Sequence, residues 1–395
     1  MVNRSRLVIW GTMALPVILL GAMLGMVALP ALSLRVEARR HSNISSCGIT
    51  PTGSGYTFQP LQVQNGAIVA SSGCIVNLKG FNLPGLGYGN AIGDVSPSKL
   101  FKSISFFAQS FTMNLWRVSL NAVWWNEDAP VPMAGMNYRA WVQQVVQILE
   151  NNGNYVLLTK GPQFHELPCG GTVVYCSTQN QASKDIQKDP SNPVYQQQMT
   201  TGQYISDAVT MWTSMAALYA NDPAVLYDSW NEMHGISNTL WRQNSGILID
   251  TIRAQDPQAL VFFGGPQFEN GFGTLLKGQV PPFTEPNLVY DFHVYNGSKG
   301  VYMGAPCNEP SSLLWKQWPT TATMQVAYIK AHGGVASFSE WGGCNDIEPY
   351  NTDITQFAAA NNVVLCYFAK GDVVLPGSSA LNSNGVKVQI DYASF

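Results

Sequence analysis

Charge is scarce in this chain: of 395 residues only 11% are Asp, Glu, Lys or Arg, and the formal net charge is −3. Nucleic-acid binding needs a basic face to offset phosphate, so this balance argues against a nucleic-acid partner. Histidine is scarce too, with five in all: His41, His165, His234, His293 and His332. None falls in a His-Glu-x-x-His pattern and none pairs with another at helical spacing. That speaks against a zinc hydrolase, and no metal or cofactor is implied. A Gly-rich phosphate loop is also missing. Gly85-Leu86-Gly87-Tyr88-Gly89 lacks the third glycine at the right spacing and reads as a turn. This weakens the case for a doubly wound, nucleotide-binding sheet.

What the chain has in quantity is aromatic and apolar residues, with 11 Trp, 16 Tyr and 17 Phe. Such rings can stack on the flat apolar face of a sugar or simply fill a core. The N-terminus carries an export signature. Arg4 and Arg6 form a positive region, and an almost uninterrupted apolar run follows from Leu7 to Leu34. The run is longer than that of a usual signal peptide and long enough to span a bilayer. Small residues at Ala28, Ala31 and Ser33 allow cleavage as well, and Arg35, Arg39 and Arg40 beyond the run leave the orientation open. Residues 1–34 are therefore a signal peptide or a transmembrane anchor. Both readings place the remainder outside the cytoplasm, secreted or held at the outer face of the membrane through residues 7–34. Seven cysteines suit an oxidising compartment. Cys169 and Cys176 are near enough to close a short loop, Cys47 could reach Cys74, and Cys307 and Cys344 follow two strand ends. Cys366 lies inside an apolar run and reads as a buried free thiol.

Residues 35–55 are polar and rich in Ser and Gly and read as a linker, leaving 56–395 as the main domain. Leu61–Gln64, Asn65-Gly66 and Ala67–Ala70 spell a β-hairpin. Eight strand-like runs extend from there: Ile75–Asn82, Met113–Leu120, Tyr155–Thr159, Val225–Trp230, Leu260–Gly264, Leu288–His293, Val335–Ser339 and Val363–Phe368. Amphipathic stretches separate them. In Tyr138–Asn152 the positions Tyr138, Trp141, Val142, Val145, Ile148 and Leu149 recur at helical spacing, and Gly153 can end the helix. Residues 194–220 and 238–254 share the habit. Eight strands alternating with helices over about 300 residues predict an α/β fold, a (β/α)8 TIM barrel, preceded by the hairpin and the signal or anchor segment.

In such a barrel the chemistry collects where strands end and βα loops begin. The fourth run leads into Trp230-Asn231-Glu232, and the seventh into Ser339-Glu340-Trp341-Gly342. Carboxylates at the mouths of strands 4 and 7 face each other across the barrel axis. The second run contains Arg117, and the sixth continues through His293-Val294-Tyr295. With Lys79-Gly80-Phe81-Asn82 on the first run and Asn114 beside the second, these residues give the sequence its resemblance to glycoside hydrolase family 5, the cellulase family. The likeness runs from about Gln62 to the C-terminus, and in that family the acid/base and the nucleophile end strands 4 and 7.

The resemblance implies a retaining hydrolase with Glu232 as general acid/base and Glu340 as nucleophile. Retention requires the two carboxyl groups to lie about 5 Å apart, one protonating the leaving oxygen while the other attacks the anomeric carbon. Arg117 and Tyr295 would hold Glu340 ionised, His293 would sit near Glu232, and Asn231 would hold the sugar 2-hydroxyl. Asn308-Glu309-Pro310 spells the family tripeptide more closely than Asn231-Glu232-Met233 does, but it follows strand 6 and no apolar run precedes it. Two positions depart from the family pattern. The histidine usual after strand 3 fits only as His165 with a shifted loop, and the Trp usual at the end of strand 8 is absent, leaving Phe368 to serve as a sugar platform. Trp341, beside Glu340, is a further cleft candidate, ahead of Trp124 and Trp125. On family frequency the substrate is a β-1,4-glucan cut internally, with β-mannan next and a glycolipid third. A carbohydrate-binding protein that has lost catalysis is the non-enzymatic alternative. No separate binding module or Pro/Thr-rich linker follows the barrel, residues 381–395 read as a closing helix, and a monomer is expected.

Overall fold

The computed structural model describes residues 47–53, 55–83, 86, 97–131, 134–161, 199–200, 202–295, 319–342, 350–368, 381 and 389, all within the unit Asn43–Phe395. The segment 1–34, Cys169, Cys176, Cys307, Cys344, His165, Glu309, the turn 87–89 and most of 381–395 lie outside the described residues. Among the described residues no helix is long and apolar enough to cross a membrane.

The eight apolar runs form eight parallel strands: β1 Lys79–Leu83, β2 Leu115–Leu120, β3 Tyr155–Lys160, β4 Val225–Asp228, β5 Val261–Gly264, β6 Leu288–Tyr295, β7 Val335–Gly342 and β8 Val364–Tyr367. Each pairs with its neighbours in chain order, and β8 pairs with β1 to close the barrel. Helices return the chain between strands: α1 Pro97–Ser110 after β1, α2 Ala122–Glu127 and α3 Tyr138–Glu150 after β2, and α4 Gln203–Tyr219 after β3. Then come α5 Asn238–Gln255, the short α6 Pro266–Glu269 and α7 Gly273–Leu276, α8 Thr320–Ala331 and α9 Tyr350–Asn361. Their apolar stripes cover the outside of the barrel. On α3 the buried positions are Tyr138, Trp141, Val142, Val145, Val146 and Leu149, and Gly153 takes the positive φ of 73° that ends such a helix. The Ser237 side chain accepts from Leu240 N–H at 3.2 Å and opens α5, supplying one of the partners a helix start lacks.

The barrel interior is graded along its axis, and the grading positions the site. At the N-terminal end Leu115, Leu157, Leu226, Phe262, Val289, Val335 and Val364 fill it. At the C-terminal end the same inward-facing rows carry Asn82, Arg117, Thr159, Asp228, Asp291 and His293, all buried. The apolar end is floored by the hairpin Leu61–Gln64/Ala67–Ala70, whose register pairs Leu61 with Ala70 and Gln64 with Ala67. A second antiparallel pair, Ile49–Pro51 with Tyr56–Phe58, begins inside the stretch expected to be a linker, so ordered structure starts earlier than composition suggests. The physical reason is tethering: Cys47 and Cys74 form a disulfide, and the Tyr155 hydroxyl lies 2.8 Å from the Gly48 carbonyl. Cys366, on β8, is a buried free thiol.

Candidate active site

Arg117 is the hub of the polar end. It stands at the middle inward position of β2, 1% exposed, and each of its five N–H groups has an acceptor within 3.0 Å. Nε and Nη2 donate to Asp228 Oδ2 at 3.0 and 2.8 Å. Nη1 donates to Glu340 Oε1 at 2.7 Å and to Asn82 Oδ1 at 3.0 Å, and Nη2 reaches Asn231 Oδ1 at 2.7 Å. Only a planar fork can serve carboxylates and amides from the ends of three strands at once, so lysine could not replace it. Burial alone would lower the basicity of Arg117, but Asp228 and Glu340 outweigh it and keep the guanidinium charged.

Glu340 reaches the interior through an irregularity. In β6 and β7 the register runs Asp291 with Ser337 and then His293 with Glu340, so two steps on one strand face three on the other. This β-bulge reverses the alternation of β7. Without it Ser339 would face inward and Glu340 outward. Asp291, fully buried, holds the bulge: its Oδ1 accepts from Ser339 N–H at 2.9 Å, and its other oxygen meets the Ser339 hydroxyl. Asn82 Nδ2 donates to the Ser339 carbonyl at 2.7 Å. Once inside, Glu340 receives the Tyr295 hydroxyl on Oε2 at 2.6 Å as well as Arg117 on Oε1. Burial pushes its carboxyl upward, but His293 and Arg117 prevail and hold it below the ordinary carboxylate range.

Glu232 follows β4 at a positive φ of 57°, an unfavourable region for a side chain-bearing residue and one found where a site over-determines the backbone. Its side chain is 26% exposed against 9% for Glu340, so it faces the opening. His293 Nδ1 lies 2.9 Å from Glu232 Oε1 and 3.5 Å from Glu340 Oε2. The Glu232, His293 and Glu340 donor atoms all fall within 4.8 Å of one another, so the nearest oxygens of the two carboxylates are close. Glu269, Asp291 and His293 form a second such trio beneath them. Either trio has the donor types to hold a metal ion, and in both the imidazole already faces carboxylates as an ion pair. Burial opposes charge on His293, but Glu269 and Glu340 outweigh it and raise the ring well above its usual range.

Of the residues singled out from sequence, Glu232, Glu340, Arg117, Asn231, His293 and Tyr295 come together in one constellation. Phe368 stands at the end of β8 with its ring edge-on to Tyr295 at 6.5 Å, near the site but only 4% exposed. Trp341 requires a correction. It is fully buried on the strand face opposite Glu340, packed edge-on against Tyr367 at 4.9 Å in the layer between barrel and helices. Strand alternation sends neighbours to opposite faces, so a residue adjacent to an inward glutamate cannot also line the cleft. Trp124 and Trp125 are likewise core. Sequence reasoning missed Asn82 as an Arg117 partner, Asp291 as the clamp of the bulge, and Glu269. For Asp291 the signal was available, since it shares the inward row of β6 with His293. His234 Nδ1 lies 2.6 Å from the Glu232 carbonyl, and its ring stacks on Phe268 at 3.8 Å.

Residues 69–372 match the family model for cellulase (glycosyl hydrolase family 5). Among curated proteins, endoglucanase N of Pectobacterium atrosepticum is 27% identical over 143 residues, covering 35% of this chain and 27% of the relative. Endoglucanase Z of Dickeya dadantii is 27% identical over 197 residues, covering 47% of this chain and 41% of the relative. The chain thus spans under half the length of either. Among solved structures, the catalytic domain of the major endoglucanase from Xanthomonas campestris pv. campestris superposes with a TM-score of 0.59 at 15% identity, covering 85% of this chain and all of that one. A β-glucanase from Saccharophagus degradans gives 0.57 at 16% identity, with 87% and 97% covered. At such identities the structural likeness speaks for the fold, and the family match over most of the chain carries the assignment: the chain belongs to the cellulase family, glycosyl hydrolase family 5.

Proposed function

We propose that this protein is a retaining, endo-acting β-glycoside hydrolase that cleaves β-1,4-glucan by double displacement. The observation that carries the reading is the separation of the two carboxylates, whose facing oxygens lie within 4.8 Å. Retaining enzymes hold this pair at about 5–5.5 Å, whereas inverting enzymes need roughly 6.5–9.5 Å to admit a water. Glu340, kept ionised by Arg117, His293 and Tyr295, attacks the anomeric carbon. Glu232, more open to solvent, gives its proton to the departing glycosidic oxygen. The covalent glycosyl ester then forms on Glu340 as the aglycone leaves. Glu232, now a carboxylate, takes a proton from water, and the hydroxide oxygen attacks from the face the aglycone left, opposite Glu340, which departs as a carboxylate. Asn231, fixed by Arg117, presents its amide to the sugar 2-hydroxyl, a contact that strengthens as positive charge develops on the ring. The substrate class follows the endoglucanases among the relatives. Export through residues 1–34 agrees with the disulfide Cys47–Cys74, which persists only in an oxidising compartment.

The test is the anomeric form of the first product. The purified protein, given soluble β-1,4-glucan or cello-oligosaccharides in a chelator, should release the β-anomer first in real-time proton NMR. First appearance of the α-anomer overturns retention, and faster cleavage of β-mannan or a glycosylceramide overturns the substrate. Glu340→Gln should lose hydrolysis at least roughly a thousandfold. Tight binding of glucan without any release of product would leave the carbohydrate-binding alternative standing.

A further inference from the structure

The turn after β5 is built at unusual cost around one buried carboxylate. Gln267, Phe268 and Glu269 take φ of 59°, 62° and 57° in succession, a left-handed turn made without glycine. Each such residue is disfavoured by about 1–2 kcal/mol. Gly264 must be glycine, because a Cβ there would lie 2.3 Å from Glu269 Cγ and Cδ. The three turn residues each grip the loop that carries Glu232. Gln267 accepts from Gly235 N–H at 3.3 Å and donates to the Ile236 carbonyl at 3.1 Å. Phe268 stacks on His234. Glu269, with no exposed surface, accepts the backbone N–H of Glu232 on Oε1 at 2.6 Å and faces His293 Nε2 with Oε2 at 2.9 Å.

We propose that Glu269 is a positioning residue: it fixes the proton of His293 on Nε2, stabilises the imidazolium, and thereby keeps Nδ1 facing Glu232 and Glu340. This rests on the roles proposed for those two glutamates. A carboxylate against one imidazole nitrogen settles which tautomer the ring adopts and supports its charge, as it does for histidines in other buried networks. With Nε2 facing Glu269 and the ring charged, Nδ1–H is left to donate to Glu232 Oε1, at 2.9 Å, with Glu340 Oε2 at 3.5 Å. The charged groups facing His293 are Glu232, Glu269, Glu340 and Asp291, with Arg117 and Asp228 beyond them. Among the described residues Arg117 and His293 are the two cations of this cluster, so their charges decide how many of its carboxylates stay ionised. Burial pushes the Glu269 carboxyl up to about 8 and His293 is the largest influence pulling it back, so each supports the other's charge. Without Glu269 the imidazolium loses its strongest support and Glu340 its main cationic neighbour. The sign follows: Glu340 then protonates at higher pH, and the acid limb of kcat/KM moves upward.

The experiment has two arms. In the unaltered protein, nitrogen-15 NMR of labelled histidine, with His293 assigned by its disappearance in His293→Gln, should find the ring charged at pH 7 and Nε2–H retained when it titrates. A ring neutral at pH 6, or a neutral form protonated on Nδ1, overturns the proposal without any need for a Glu269 variant to fold. In the second arm Glu269→Gln should move the acid limb up by about one pH unit, the low end of what an opposite charge in contact confers. Glu269→Asp, which keeps the charge, should bring the limb most of the way back to its position in the parent. A rate loss with the limb unmoved would mean a merely structural role and overturn the proposal. Hydrolysis surviving in Glu340→Gln would instead sink the proposed roles of the two glutamates, whereas the ring protonation is read independently of them.

Discussion

A carboxylate in a closed site stays ionised only if its neighbours outweigh the loss of water, and Glu340 owes its charge to three of them. His293 and Arg117 supply positive charge, and the Tyr295 hydroxyl adds a hydrogen bond that only the ionised form fully uses. Tyr295→Phe deletes that donor while keeping the ring that meets Phe368. A hydrogen bond to a charged group is worth about 1.5–3 kcal/mol, so the plateau rate should fall roughly ten- to a hundredfold. On the proposed mechanism activity needs Glu340 ionised, and losing a donor to its ionised form raises the pH at which it protonates. The acid limb should therefore move up, as a pH–rate profile would record, and an unmoved limb would exclude this role for Tyr295. Arg117 answers to a different measurement. Arg117→Met leaves Asp228 and Glu340 buried without their shared cation, and breaking such a pair costs about 3–5 kcal/mol. A urea midpoint equal to that of the parent would show that the carboxylates find compensation elsewhere. These residues were legible from sequence because Arg117 lies within one apolar run and Tyr295 and Glu340 follow two others, in the right order. Glu269 was not, since a glutamate in a short Gly/Pro-flanked loop looks the same whether it points into solvent or into the core.

Strands carry a stronger regularity than loops, and the one place where it breaks decides where Glu340 points. Alternation along β7 from Ser337 would bring Ser339 inward, yet the bulge brings Glu340 inward instead, clamped by Asp291 on Ser339. Asp291→Asn keeps an acceptor for Ser339 N–H and a group able to pair with its hydroxyl, so it should retain most activity. Asp291→Leu removes both partners, and a displacement of even ~1 Å at Glu340 can cost about a hundredfold in rate. The comparison is kcat per folded molecule, with circular dichroism as the check that the barrel persists. Equal rates in the two variants would mean that the bulge holds without Asp291. All eight barrel strands were legible because each buries both faces and reads as a short, nearly continuous apolar run. The bulge was not, because a run of such residues gives no parity to read, and one inserted residue leaves composition unchanged. The same limit hid the outward direction of Trp341.

At the scale of the whole molecule the two ends of the barrel have separate jobs. Polar side chains gather at the C-terminal mouth, while the apolar N-terminal end is closed by the hairpin and by the arm that runs from Cys47. The disulfide joins that arm to the segment leading into β1, 27 residues along the chain. Closing a loop of that length in the unfolded chain removes entropy worth about 3–4 kcal/mol at 25 °C. None of that entropy touches the catalytic geometry, which is set by β2, β4, β6 and β7 at the other end. The double substitution Cys47→Ser with Cys74→Ser should therefore lower the urea midpoint while leaving kcat and the pH profile unchanged under conditions where the protein stays folded. Two results would contradict this separation. An unchanged midpoint would mean that the arm is held by Tyr155 and the hairpin alone, and a lower kcat in fully folded protein would mean that floor and mouth are coupled. Tyr155 makes the second outcome a fair test: its hydroxyl meets the arm at Gly48 and Gln59, and it opens β3, which also carries Thr159 toward Arg117. If loosening the arm shifted β3, the guanidinium would be the first group of the site to register it, through the 3.4 Å contact with Thr159 and then through Glu340.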